Sequence, residues 1–155
     1  MYNAVRIAYQ ILANNGVLLI HDHLKPKPAP VEIAFKNTES QKKFFKFAQE
    51  FRPRRIEYKE KNQRIKLDIA DAVEFFGKYR SSPEDWGESM EETHLFFTEE
   101  DYQKMAHRTG FTIENVRKLP SYENKWYESA KGEIARDIEF TFDIECSLIQ
   151  LVLKK

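Results

Sequence analysis

His21-Asp22-His23 places two imidazoles and a carboxylate within three residues, directly after the apolar run Val17-Leu18-Leu19-Ile20. Imidazoles and carboxylates are the side chains best suited to accept and return protons near neutral pH. The triplet is therefore a candidate catalytic group, with Asp22 foremost and His21 and His23 beside it. A His-x-His pair also occurs in metal sites, but no further ligands stand at metal-binding spacing, so no metal is expected. A second set is aromatic: Phe44, Phe45, Phe75, Phe76, Trp86, Phe96 and Phe97. Such residues can cover an apolar ligand, which makes Phe76, Trp86 and Phe96 candidate substrate contacts. At helical spacing they also build ordinary cores. A third set is cationic, with Arg52, Arg54, Arg55, Lys59, Lys61, Arg64 and Lys66 around Tyr58, a pattern that invites nucleic acid. Glu57 and Glu60 interrupt it, and the acidic remainder of the chain weakens the field. A solvated face, or a patch answering the acids of 84–101, fits better, and no nucleic-acid partner is expected. No Ser-His-Asp spacing, phosphate loop or Cys/His zinc pattern is present.

These residues must be positioned by a chain of 155 residues, close to the usual size of one domain. A hydrophobic fraction of 41% allows a core, and twelve phenylalanines would dominate it. The net charge is zero, so nothing global attracts a polyanion or a membrane surface. Residues 36–66 are mainly basic and 67–145 mainly acidic. The single cysteine, Cys146, excludes an internal disulfide and fits a reducing compartment. No apolar run approaches the roughly 20 residues of a membrane span, and no signal peptide is read, so the expected location is the cytoplasm.

The opening residues read as a helix with Val5, Ala8, Ile11 and Leu12 on one face, stopped at Asn14-Asn15-Gly16. Val17 to Ile20 then reads as a strand covered on both faces, the mark of a central parallel sheet whose carboxyl end gathers ligands. After a proline-rich loop (23–37), Thr38 opens a helix with the stripe Phe44, Phe47, Ala48 and Phe51, ended at Pro53. A second helix is expected from near Asp68 to Ser81, so 24–95 forms a helical cap inserted into a single domain. Phe97-Thr98-Glu99-Glu100-Asp101-Tyr102 has the signals of a capped helix start, and Gly110 closes that helix. A strand over 111–119, a polar loop over 120–133, and strands at 138–144 and 148–153 complete the order. The late strands suggest an antiparallel hairpin added to the parallel sheet.

Ala8-Tyr9-Gln10-Ile11-Leu12 leading through Gly16 into Val17-Leu18-Leu19-Ile20 resembles the carboxyl-terminal half of a class I S-adenosylmethionine-dependent methyltransferase. So do Phe97 to Tyr102, continuing through Ala106 to Gly110-Phe111, and the closing Leu151-Val152-Leu153-Lys154-Lys155. The resemblance implies an α/β fold with a partial Rossmann-like sheet; the buried-type runs and the late hairpin order put strand 17–21 beside 148–153, with 112–119 outside the latter. It also implies methyl transfer to a small or apolar molecule, and the two amphipathic stripes inserted directly after strand 17–21 put the helical cap beyond its carboxyl end. The family's glycine-rich cofactor turn and ribose-binding acid have no counterpart among five glycines that form no GxG pair. S-adenosylmethionine binding is therefore expected only if a complementing N-terminal half supplies them. A homodimer formed through the unpaired edge of strand 17–21 is the other partner expected. The alternative function is a non-catalytic binding or scaffold module on a truncated remnant of the same fold.

Overall fold

A computed structural model describes residues 2–95, 97–120, 125–143 and 148–155. The fold is mixed α/β with two sheets, each antiparallel between neighbouring strands. Helix α1 (Tyr2–Ile11) leads to strand β1 (Val17–His23), then β2 (Pro30–Phe35), helix α2 (Thr38–Glu50), the hairpin β3 (Tyr58–Lys61) and β4 (Arg64–Asp68), and helix α3 (Ile69–Tyr79). A 3-10 turn at Gly87–Glu91 precedes helix α4 (Glu99–Thr109), strand β5 (Thr112–Leu119), helix α5 (Lys125–Asp137), and strands β6 (Ile138–Phe140) and β7 (Leu148–Lys154).

The first sheet has the order β1-β7-β5. The central β7 carries Ile149, Leu151 and Leu153, all fully buried beneath α1 and α4 with Val5, Tyr102, Met105, Ala106 and Phe111. β1 and β5 both run against β7 and so run in the same direction as each other. The expected order of the three strands is found. Among the described strands β1 pairs with β7 alone, which leaves the open edge expected of it, but the parallel sheet expected around it is not found there. One of its faces is also bare, with Val17 51% and Leu19 64% exposed, where an apolar run had predicted cover on both sides. At the start of the chain Asn15, not Gly16, takes the left-handed conformation (φ 65°), and Ile11 lies exposed off the buried face.

The segment expected as a helical cap has its own sheet, β3-β4-β2-β6. β2 forms within the supposed loop 23–37 because Val31 and Ile33 alternate with exposed Pro30 and Glu32, burying one face. The β3–β4 hairpin turns at Asn62-Gln63, both with positive φ, a two-residue connection suited to the twist of antiparallel strands. Against this sheet lie α2 and α3, with Phe44, Phe47, Phe75, Phe76 and Trp86 in a continuous core. Asn37 rather than Thr38 caps α2, its side chain accepting from the Ser40 amide at 2.8 Å. Asp68 caps α3 through the Ala70 amide, also at 2.8 Å. The polar loop expected over 120–133 contains α5, and 138–144 yields only the short β6, which joins β2 and not β7. Ile144 and Cys146 lie outside the described residues.

Topology decides where the second sheet sits. His23 and Leu119 both pair with Leu148, so the ends of β1 and β5 and the start of β7 lie side by side. The chain leaves for the second sheet from that end after β1 and after β5. It returns there as well, where Leu24 bridges to Phe97 and the Lys25 amide donates to the Phe97 carbonyl at 2.9 Å. The four-stranded unit therefore lies beyond the carboxyl end of β1.

Candidate functional site

Asp22 is held at that end. Tyr102 of α4 donates its hydroxyl to Asp22 Oδ2 at 2.7 Å, and the His23 amide donates to Oδ1 at 2.8 Å. Tyr102 is placed by the capping box that starts α4, in which Thr98 and Asp101 hold each other's backbone amides. Burial, and then the Asp22 carboxylate, push the Tyr102 hydroxyl far above the ordinary tyrosine range, so it stays protonated as a donor. His21 sits on the exposed face of β1, where its Nδ1 lies 3.3 Å from Gln150 Nε2. Asp22 and His21 are thus engaged on different neighbours.

His23 instead meets a residue from the other side of the junction. Its ring lies edge-on to His94, with centroids 6.4 Å apart. His94 stands beside Glu74, a carboxylate on α3 that is only 1% exposed. Three donors converge on Glu74 Oε1: the Thr93 hydroxyl, the His94 amide at 2.8 Å and the Leu95 amide at 2.9 Å. Behind them Arg54 donates to Thr93 Oγ1 at 3.2 Å while pairing with Asp71 at 2.7 Å. Oε2 is fully buried and has no hydrogen bond, with His94 Nδ1 3.7 Å away. That separation is too long for a hydrogen bond, and an unsatisfied buried acceptor costs about 1–3 kcal/mol.

Burial alone would raise the Glu74 carboxyl. His94, the Thr93 hydroxyl, the Leu95 amide and the Lys78 ammonium outweigh it and hold the group below the usual range, so it is ionised. Asp71 goes the other way, raised by burial against the opposing pull of Arg54. Lys78 is buried, donates to the Ser89 carbonyl at 2.5 Å, and is lowered by burial.

The aromatic candidates have a different fate. Trp86 is 1% exposed and donates its indole N–H to the Lys78 carbonyl at 2.9 Å. Phe76 is 2% exposed, stacks against Phe142 with ring centroids 5.8 Å apart and meets Phe140 at a tilt with centroids 4.9 Å apart. Both are core of the four-stranded unit. Phe96 lies outside the described residues. The basic stretch is partly neutralised, through Arg52–Glu91, Arg54–Asp71 and Arg64–Glu32 pairs. Arg55, Lys59 and Lys66 line an open groove of about 1100 Å³ together with Glu57, Asp68 and Asp71, so its walls carry both signs. Among the described residues, no cluster of three or more His, Cys, Asp or Glu could hold a metal, and no helix is long and apolar enough to cross a membrane.

The sequence pattern pointed to the carboxyl end of β1 and to His23, and it did not single out Glu74, Thr93 or His94. A signal existed. Glu74 interrupts the apolar run Ala72-Val73-Glu74-Phe75-Phe76, and an acid inside such a run must be satisfied by partners elsewhere.

The structure also bears on the nucleoside cofactor that the sequence resemblance implies. Such a group needs a glycine turn that follows a strand and opens a helix. Gly16 precedes β1, Gly77 lies in α3, Gly87 in the 3-10 turn, Gly110 ends α4 and Gly132 lies in α5. The described residues do not build that seat. Comparison with protein-family models, with curated proteins and with solved structures gave no match.

Proposed function

We infer that this chain is the carboxyl-terminal portion of a methyltransferase-type α/β enzyme. It would act in the cytoplasm on a small or apolar molecule, with the S-adenosylmethionine site completed by a separate N-terminal half. The observation that carries this reading is the sheet order β1-β7-β5, with a reversed strand between two that share a direction and with α1 and α4 on one face. The partial Rossmann-like sheet implied by the resemblance calls for that arrangement. The open edge of β1 and its bare Val17 and Leu19 give a complementing half, or a second copy, a surface to join. The proton-handling groups gather at the carboxyl end of β1, the end at which α/β sheets hold their ligands.

The test is calorimetric. S-adenosylmethionine titrated into the purified 155-residue chain should give no binding heat. Co-expression with the product of the adjoining upstream coding sequence should give a complex that binds it. Micromolar binding by the monomer alone would overturn the half-domain reading. The second reading, a non-catalytic module, is favoured by Phe76 and Trp86 being core rather than pocket, and the absence of any binding by the complex would support it.

A further inference from the structure

We propose that Glu74 and His94 form a carboxylate–imidazole pair. In it His94 Nε2 accepts a proton from a neutral ligand bearing a weakly acidic hydroxyl, of the phenol or enol class, bound against His23. This goes beyond the methyltransferase reading and does not require it.

The pair is asymmetric in a way that serves this role. Glu74 Oε1 is saturated by three donors, whereas Oε2 is buried, unpartnered and aimed at His94 Nδ1. An ionised carboxylate so placed favours the tautomer with the proton on Nδ1, leaving Nε2 as the acceptor. The 3.7 Å gap is of the kind that tightens when a ligand is bound. His94 can close it, because its side chain is 58% exposed while the carboxylate is fixed. The backbone amides of His94 and Leu95 on Glu74 tie the imidazole's own main chain to the carboxylate that orients it.

The charged neighbours on α3, behind Thr93 and on β1 favour a neutral ligand. Glu74 and Lys78 come from α3, Arg54 and Asp71 lie behind Thr93, and His23 and Asp22 come from β1. Arg54 is committed to Asp71 and Thr93, and Lys78 to the Ser89 carbonyl. Neither Arg54 nor Lys78 is left over for an anionic ligand, and the carboxylates of Glu74 and Asp22 would repel one. A neutral hydroxyl compound meets neither obstacle. Its O–H bond breaks, the proton moves to His94 Nε2, and the resulting imidazolium is stabilised by Glu74 through Nδ1–H.

The experiment is long-range proton–nitrogen NMR on the ¹⁵N-labelled chain at about pH 8, above the ordinary histidine range. His94 should show the Nδ1–H tautomer, and Glu74→Gln should convert it to the Nε2–H form that free imidazole prefers. Adding 4-methylphenol, which like a tyrosine side chain titrates near about 10 and is neutral at this pH, should shift the His94 and His23 ring signals but not that of His107. The phenolate absorbance should rise several-fold less with His94→Gln. A wild-type His94 in the Nε2–H form would overturn the proposal, and that result stands even if Glu74→Gln fails to fold. Shifts confined to other residues, or phenolate formation unaffected by His94→Gln, would also overturn it. None of these readouts involves a methyl donor, so failure here leaves the methyltransferase reading untouched, and failure of that reading leaves this one standing.

Discussion

Replacing Phe76 by alanine separates a ligand contact from a core residue. A side chain lining a pocket can be truncated with little loss of stability, because its outer face was never packed. Phe76 is 2% exposed, and its ring meets Phe75 at 6.1 Å, Phe140 at 4.9 Å and Phe142 at 5.8 Å. It therefore joins α3 to the strand that follows α5, and removing it opens a cavity between elements far apart in sequence. A buried Phe→Ala change of this kind costs about 3–5 kcal/mol. With a urea dependence of about 2 kcal/mol per molar, the unfolding midpoint should fall by about 2 M. Leu19→Ala, on the exposed face of β1, is the control and should move stability by no more than about 0.5 kcal/mol. Urea melts followed by circular dichroism make the comparison. A loss under about 1 kcal/mol for Phe76→Ala would refute the core assignment and return this residue to the list of substrate contacts.

Alkaline titration followed by tyrosinate absorbance should show Tyr79 and Tyr102 resisting ionisation, since burial first and then Asp137 and Asp22 raise them. Their contribution to stability is complete below the ordinary tyrosine value of about 10 and is lost as pH climbs above it. At the acid end, Glu74 contributes stability above the ordinary carboxyl value of about 4.3, lost as pH falls through its depressed folded value. Glu74→Gln should flatten that limb of a pH–stability curve measured by thermal melts. Gly110→Ala should destabilise by at least about 1 kcal/mol in the same melts, because φ is +91° and a Cβ would meet the Tyr9 ring at 2.9 Å. Sedimentation should show concentration-dependent self-association that Leu19→Lys weakens, since a charge on an open β edge opposes pairing.

How much of this was legible depends on whether the signal was local. Helix α4 was readable end to end: Thr98 and Asp101 close the capping box, Phe97 meets Tyr102 at 5.4 Å, and Gly110 takes the left-handed position. Strands β1 and β7 were visible as apolar runs, and the order of the sheet followed from those runs and from the late hairpin. The second sheet was not visible. The residues of β3 are exposed on both faces, so Tyr58-Lys59-Glu60-Lys61 has no alternation to read. Its turn uses Gln63 at positive φ where the usual hairpin signal is glycine, which hid the pairing with β4. Helix α5 is polar, with Ile134 its buried anchor among the described side chains, and it passed for a loop. Asp22 and His23 stood out in the sequence because they directly follow the apolar run of β1. Glu74 and His94 did not, because only the folded chain brings α3 against the segment before α4.

That same contact couples the site to the architecture. Glu74 takes the amides of His94 and Leu95, and two residues later Phe97 bridges to Leu24 at the end of β1. His94 and Leu95 are thus pinned to α3 of the four-stranded unit, and Phe97 to the three-stranded sheet. The His23–His94 contact of 6.4 Å spans the join, with one imidazole on each side. A shift of one sheet against the other would change that distance directly, while Asp22, held by Tyr102 within the first sheet alone, would stay where it is. Proton acceptance at His94 should therefore be sensitive to how the two units are seated. The hydrogen bond between Asp22 and Tyr102 should report only on the first sheet.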